Sequence, residues 1–366
     1  MAGSGTVQVS TLWLLVEYVP ATITISGTCD AFDQTTDCAD VGTVKVAIDG
    51  SVQAQEDTSI SGTWDITSVT QPSSGAIITV WIDAAATISD RAGAVTKYDG
   101  TGDITGVQLF KEHLTIGSVD DQTVTNTNIG LYDNSVAAGD DDVFWDVSAG
   151  DDLTVDTEAQ STQEELYIAS GDTYRPASGG GGDTATVHVE IDGTWTADNN
   201  AISVFGSWQN DGTFTGGTST TTFTSTTGSR TLSGTMTGAT GKFYDLTFAG
   251  VSGGWTFSNA VETGQTFTVT SGAVSGNGQT LTVARNFTLT SGNASTGYTS
   301  GSNQTVTIGN DISDSGTEGV WSSGSTVQMT GTYDGNSSFT DITTSQVFVN
   351  LDLAYSGTTT TNANSI

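Results

Sequence analysis

The chain has 366 residues, enough for roughly two or three domains and a sizeable core. Its 41 acids against 8 Lys plus Arg give a formal net charge of −33, which repels nucleic acid and anionic membranes and excludes both as partners. Trp, Phe, Tyr and Val are plentiful and patterned despite that charge, and only 3 Pro interrupt them, so the composition reads as a folded, turn-rich, all-β chain.

Residues 1–21 are predicted to hold one strand. Val7–Val19 is β-branched and aromatic, apolar on both faces, and ended by Pro20. Its apolar part, Leu12–Val19, is too short to span a membrane and contains Glu17, so no membrane insertion is expected of it. Met1–Gly5 has no basic region, apolar stretch or cleavage site of a secretion signal. The strand reads as the end of a domain that lies upstream in a longer secreted protein.

Residues 22–98 read as an immunoglobulin-like β-sandwich. Strand candidates at Thr22–Ser26, Thr43–Ile48, Thr63–Val69, Ile77–Ile82 and Ala94–Lys97 are separated by turn signals such as Asp49-Gly50 and Ser61-Gly62. Val44, Val46 and Ile48 alternate with Lys45 and Ala47, which predicts one buried and one wet face and puts Lys45 on the wet one. Cys29 and Cys38, the only cysteines, flank a loop rich in Asp and Thr. A disulfide between them is expected, and it would stabilise so short a loop by about 2–3 kcal/mol.

Residues 99–178 read as a second, acidic β domain. Between Asp99 and Asp183 there are 18 acids against Lys111 and Arg175. Strand-like pieces occur at Val107–Phe110, His113–Ile116, Val143–Val147, Leu153–Val155 and Glu165–Ile168, with acidic turns between them. Asp140, Asp141, Asp142 and Asp146 form the densest carboxylate group and are the candidate ligands for calcium, a hard cation that takes oxygen donors. The competing reading of these acids is a solvated face. His113 and His188, the only histidines, read as strand residues, because Ser and Asp are too abundant here for a Ser-His-Asp set to be meaningful.

A Gly-rich linker at 179–183 leads into residues 184–366, where Gly, Ser and Thr dominate and short alternating runs recur. Gly264-Gln265-Thr266-Phe267-Thr268-Val269 returns as Gly278-Gln279-Thr280-Leu281-Thr282-Val283 and as Asn303-Gln304-Thr305-Val306-Thr307-Ile308. Short strands, tight turns and a degenerate repeat predict a β-solenoid (β-helix), whose stacked coils share a narrow core that no single coil could bury alone. Phe223, Phe248, Phe267, Leu281, Val283, Phe287 and Leu289 are expected to face inward. Trp195, Trp208, Trp255 and Trp321 are expected in the core or at coil corners rather than as sugar-stacking platforms.

Gly212-Thr213-Phe214-Thr215-Gly216-Gly217-Thr218-Ser219-Thr220-Thr221-Thr222-Phe223 and Phe243-Tyr244-Asp245-Leu246-Thr247-Phe248 make this half resemble the β-helical stalks of secreted bacterial surface proteins, such as filamentous adhesins and autotransporter passengers. The sandwich region similarly resembles bacterial surface immunoglobulin-like or prealbumin-like repeats. The resemblance implies an extracellular or cell-surface location and a structural or adhesive role without catalytic activity. Partners would be a host surface, matrix polysaccharide or other copies of the chain. The alternative is a polysaccharide-binding or polysaccharide-cleaving β-helix, which would require aromatics and paired carboxylates gathered on one solenoid face.

Overall fold

The computed structural model describes residues 20–38, 42–58, 60–85, 87–117, 122–134, 143–155, 163–177, 181–290, 297–314, 319–320, 323–331, 337–340, 350–353 and 359–361. The strand expected over Val7–Val19 lies outside them. Among the described residues, the regular elements are all strands apart from one four-residue α-helix, Asn126–Ile129, and one 3₁₀ turn.

The first strands are β1 (Thr22–Asp30), β2 (Thr43–Ile48), β3 (Ser51–Asp57), β4 (Thr63–Thr70), β5 (Ile77–Asp83), β6 (Gly93–Lys97) and β7 (Ile104–Phe110). One sheet has the order β4-β1-β7, with β1 antiparallel to β4 and parallel to β7. The other has the order β3-β2-β5-β6, all antiparallel. Ile23, Ile25, Trp64, Ile66, Val107 and Leu109 of the first sheet pack on Val44, Val46, Ile78, Val80 and Ile82 of the second. This is a two-layer arrangement, but its strand order differs from the expected immunoglobulin-like one. That order would put the first, second, fifth and fourth strands together in one sheet. Here the tight β2–β3 hairpin and the longer β5–β6 connection, with antiparallel pairing of β2 to β5, keep strands two, three, five and six in the same sheet.

The second sheet is buried on both faces at its β5 strand, whose run of buried residues from Ile77 to Ile82 requires it, while its edge strand β3 is largely exposed. Its far face, with Ala47, Ile77, Trp81 and Val95, belongs to the core that continues down the rest of the chain. The junction is β6. On one side it is antiparallel to β5, and on the other it pairs in parallel with β8 (His113–Ile116).

From β8 onward the chain winds as a β-solenoid of about 9 turns. A first parallel ladder runs from β8 through Glu165–Ile168, His188–Ile191, Trp208–Asn210 and Arg230–Gly234 toward Gly319–Val320. A second runs from Leu153–Val155 through Thr184–Thr186, Ile202–Val204 and Thr220–Phe223 to Thr359–Thr361. A third comprises Thr123–Val124, Thr173–Tyr174, Thr194–Thr196 and Thr213–Thr215. It resumes as Val261–Thr263, Leu281–Val283, Thr305–Ile308, Thr326–Met329 and Asn350–Leu353.

The ladders thus begin at His113 rather than at 184. Of the strands expected to form a separate acidic domain, His113–Ile116, Leu153–Val155 and Glu165–Ile168 are rungs of the solenoid's first turns, Trp145–Val147 pairs antiparallel with Leu153–Val155, and Val107–Phe110 belongs to β7 of the N-terminal sheets. The Gly-rich stretch, where it is described, lies inside a turn. The long insertion between β8 and Glu165 obscures this in the sequence, because it separates rungs that are adjacent in space.

Alternation with period two places every second side chain inside. Phe223, Phe248, Phe267, Leu281, Val283, Phe287 and Leu289 are all buried, as are Trp195, Trp208 and Trp255; Trp321 lies outside the described residues. In-register stacking piles like on like. Phe223 lies face to face with Phe248 at 5.2 Å, and Phe267 with Phe287 at 5.1 Å. Such pairs contribute about 0.5–1.5 kcal/mol each beyond their burial.

Candidate functional site

Parallel, in-register stacking does to outward-facing residues what it does to the core: it sets them in columns about 4.8 Å apart. Three rungs of the first ladder share one phrase, in which apolar residues alternate with polar ones and the last is Ile. They are His113-Leu114-Thr115-Ile116, Glu165-Leu166-Tyr167-Ile168 and His188-Val189-Glu190-Ile191. Leu114, Ile116, Leu166, Ile168, Val189 and Ile191 enter the core. The outward column therefore reads His113, Glu165, His188, and beside it stand Thr115, Tyr167 and Glu190.

This outward column is nevertheless covered. The loop between Cys29 and Cys38 folds down from the N-terminal sheets onto it. The Phe32 ring sits 4.8 Å from the His113 ring, and Phe110 and Tyr167 close the sides at 5.7 and 6.4 Å. His113 is 0% exposed as a result. Gln34 Nε2 donates to Glu190 Oε2 at 2.6 Å. The loop is pinned by the Cys29–Cys38 disulfide, whose Cα atoms are 5.4 Å apart. It is also held by Asp33, whose Oδ1 accepts from the Thr35 and Thr36 amides at 3.1 and 2.9 Å, and by the Gln34 amide donating to the Ala31 carbonyl. Gln34 itself is left-handed, with φ 57°, at the tip of the turn.

Beneath the loop, the His113 imidazole, the Glu165 carboxyl and the Glu190 carboxyl each offer one donor atom, all within 4.8 Å of one another. His113 Nε2 lies 3.5 Å from Glu165 Oε2. His113 Nδ1 is 2.7 Å from the Lys111 carbonyl, which can only accept, so Nδ1 carries the proton and Nε2 presents a lone pair. Burial holds His113 well below its usual range, at about 4, and proximity to His188 acts in the same direction. Burial pushes Glu165 up to about 8, and the Glu190 carboxylate adds to it. Glu190 is raised by burial as well, against the Gln34 hydrogen bond. A neutral imidazole lone pair facing two such carboxyls can share protons with them or hold a cation. His188 is differently employed, since its Nδ1 accepts from the Ser207 amide at 3.0 Å.

The cluster borders an open groove of about 390 Å³ that passes Phe32, Gln34, Glu190, Gln209 and Arg230. Next to it, Glu112 is pushed up to about 7 by burial and by the Glu164 and Asp90 carboxylates, while Lys111 Nζ is held by Asp90 at 2.7 Å.

Asp140, Asp141 and Asp142, three of the four candidate calcium ligands, lie outside the described residues. The fourth, Asp146, is half-buried in strand Trp145–Val147, opposite Thr154. Lys45, expected on a wet face, lies on the same face of its strand as the buried Ala47, is itself half-buried, and pairs with Asp83 at 2.6 Å.

Sequence reasoning left His113 and His188 as strand residues and did not single out Glu165 or Glu190. The repeated phrase ending in Ile was the available signal. Aligning its three copies would have stacked His113 on Glu165 and placed Glu190 next to both. Comparison with protein families, with curated proteins and with solved structures gave no match to this chain.

Proposed function

We propose that this chain is an extracellular structural or adhesive surface protein in which the solenoid is an elongated stalk without catalytic activity and the N-terminal sheets are its cap. The observation that carries this reading is the succession of parallel rungs from β6 to Thr359–Thr361, capped at one end by a sheet whose strand β5 is buried on both faces. A stack of about 9 turns at about 4.8 Å per turn extends roughly 40 Å with one narrow core throughout. The disulfide fits an oxidising compartment.

A polysaccharide-binding face would need exposed aromatic platforms. Among the described residues, the large apolar side chains left exposed are Val52, Leu131 and Val251, and the Trp residues described on the solenoid are buried. This favours the stalk. Adhesion through bland Thr-rich faces would engage a host surface, a matrix polysaccharide or other copies of the chain.

The test has two arms. Small-angle scattering of the full chain is expected to give a rod cross-section. Glycan arrays and host-cell overlays are then expected to show adhesion with no release of reducing sugar. Depolymerisation of any polysaccharide would replace this reading with the cleaving β-helix.

A further inference from the structure

We propose that His113, Glu165 and Glu190 bind one divalent transition-metal ion, zinc by donor chemistry, beneath the disulfide-pinned loop, so that the metal cross-links the first three rungs of the solenoid while Gln34 of the loop holds one of its ligands. This goes beyond the structural reading above and does not depend on it.

The first support is the unpartnered nitrogen. His113 Nε2 is fully buried, accepts no hydrogen bond, and points at Glu165. Buried polar atoms are nearly always satisfied, so an orphan aimed into a cluster of carboxyls asks for a missing partner. The second is the orientation of the ring. Metal-binding histidines donate their other N–H to a carbonyl or carboxylate, which sets the tautomer; the Lys111 carbonyl does this for Nδ1. The third is the support of the carboxylate. Gln34 donates to Glu190 Oε2, holding the ligand that comes from the most distant rung.

Donor chemistry and size select the metal. One imidazole and two carboxylates suit zinc and its first-row neighbours, whereas calcium takes six to eight oxygens and has little use for a buried imidazole. Zinc bonds of about 2.0–2.2 Å put tetrahedral donors about 3.4 Å apart. His113 Nε2 and Glu165 Oε2 already stand at 3.5 Å, and Glu190 needs only a side-chain adjustment to close from within 4.8 Å. Three protein donors leave a fourth position for water, on the side of the groove. The ligands belong to three successive rungs, and the covering loop belongs to the N-terminal sheets. One ion would therefore bind together elements that are far apart in sequence.

The experiment uses the full chain, stripped with chelator and titrated with zinc against a chromogenic competitor, with cobalt as a spectroscopic substitute. One tight site is expected, distinct from the weak binding of a surface of net charge −33. Zinc is also expected to raise the melting temperature at a concentration where magnesium does not. The double variant Glu165→Gln plus Glu190→Gln keeps shape and volume. It is expected to lose the tight site by about 100-fold or more, since removing even an outer partner of a ligand costs about 10–100-fold. His113→Gln is expected to abolish the cobalt visible spectrum. Asp151→Asn plus Asp152→Asn, acids remote from the cluster, is expected to leave the tight site intact. Absence of a tight site in the parent overturns the proposal. So does a double variant, shown folded by circular dichroism, that binds zinc as the parent does.

Discussion

Phe248→Ala probes the solenoid core where its rings are densest. Phe248 is fully buried and stands on the second ladder between Phe223 and Val269. Its ring is 5.2 Å from Phe223, 5.2 Å from Trp255, 5.6 Å from Phe267 and 6.2 Å from Phe257. Truncation removes about 3–5 kcal/mol, combining lost transfer energy with the cavity left behind. The upper half of that range is expected, because four rings lose a neighbour and the stacked backbones above and below are tied by ladder hydrogen bonds and cannot close the gap. Urea titration followed by tryptophan fluorescence measures the loss, with Trp255 beside the cavity as the local reporter. Stability in a solenoid is nearly a sum over neighbouring coils, so the transition is also expected to split, with coils on the C-terminal side of Phe248 melting first. Phe248→Leu is expected to cost less than Phe248→Ala, and Thr247→Ala, on the outer face, to stay within about 0.5 kcal/mol of the parent. If Phe248→Ala matched Thr247→Ala, the assignment of inside and outside along this ladder would be refuted.

Three further outcomes are expected. Replacing Cys29 and Cys38 by Ser should lower stability by about 2–3 kcal/mol and raise the rate at which diethylpyrocarbonate modifies His113, because the loop carrying Phe32 is no longer pinned; unchanged reactivity would mean that the loop covers the cluster without the disulfide. Asp33 is held at about 2 by hydrogen bonds from the Thr36 hydroxyl and amide and the Thr35 amide, so its support of the loop is present above its unfolded value of 3.8 and is lost as pH falls through about 2. Hydrogen exchange at the Thr36 amide should report that loss, and Asp33→Asn should remove its pH dependence. Gly250→Ala should destabilise by about 1–3 kcal/mol, since a Cβ there would overlap the Ser225 carbonyl of the preceding turn, and a melting temperature equal to the parent's would place these two turns further apart than described.

Inside and outside were legible in the sequence because alternation is a local property. A residue and its second neighbour face the same way in any strand, whatever lies above or below. Phe267-Thr268-Val269 and Leu281-Thr282-Val283 therefore announced their core residues directly, and the solenoid could be inferred from their recurrence. Which rung lies on which was not legible. Spacings between stacked residues vary from 18 residues, between Thr184 and Ile202, to 27, between Ile312 and Phe339, and reach 52 between Leu114 and Leu166 in the first turn. As a result the similar phrases at Phe267 and Leu281 fall on different ladders, while Leu281 and Val306 are true neighbours. The same irregularity hid the first turns within the acidic region. It also hid the cluster of His113, Glu165 and Glu190, whose parts meet only once long insertions have looped away and a loop from the N-terminal sheets has closed above them. Local chemistry determined the face each side chain takes; register between turns, set by insertions that leave no trace in strand periodicity, was decided by the tertiary structure alone.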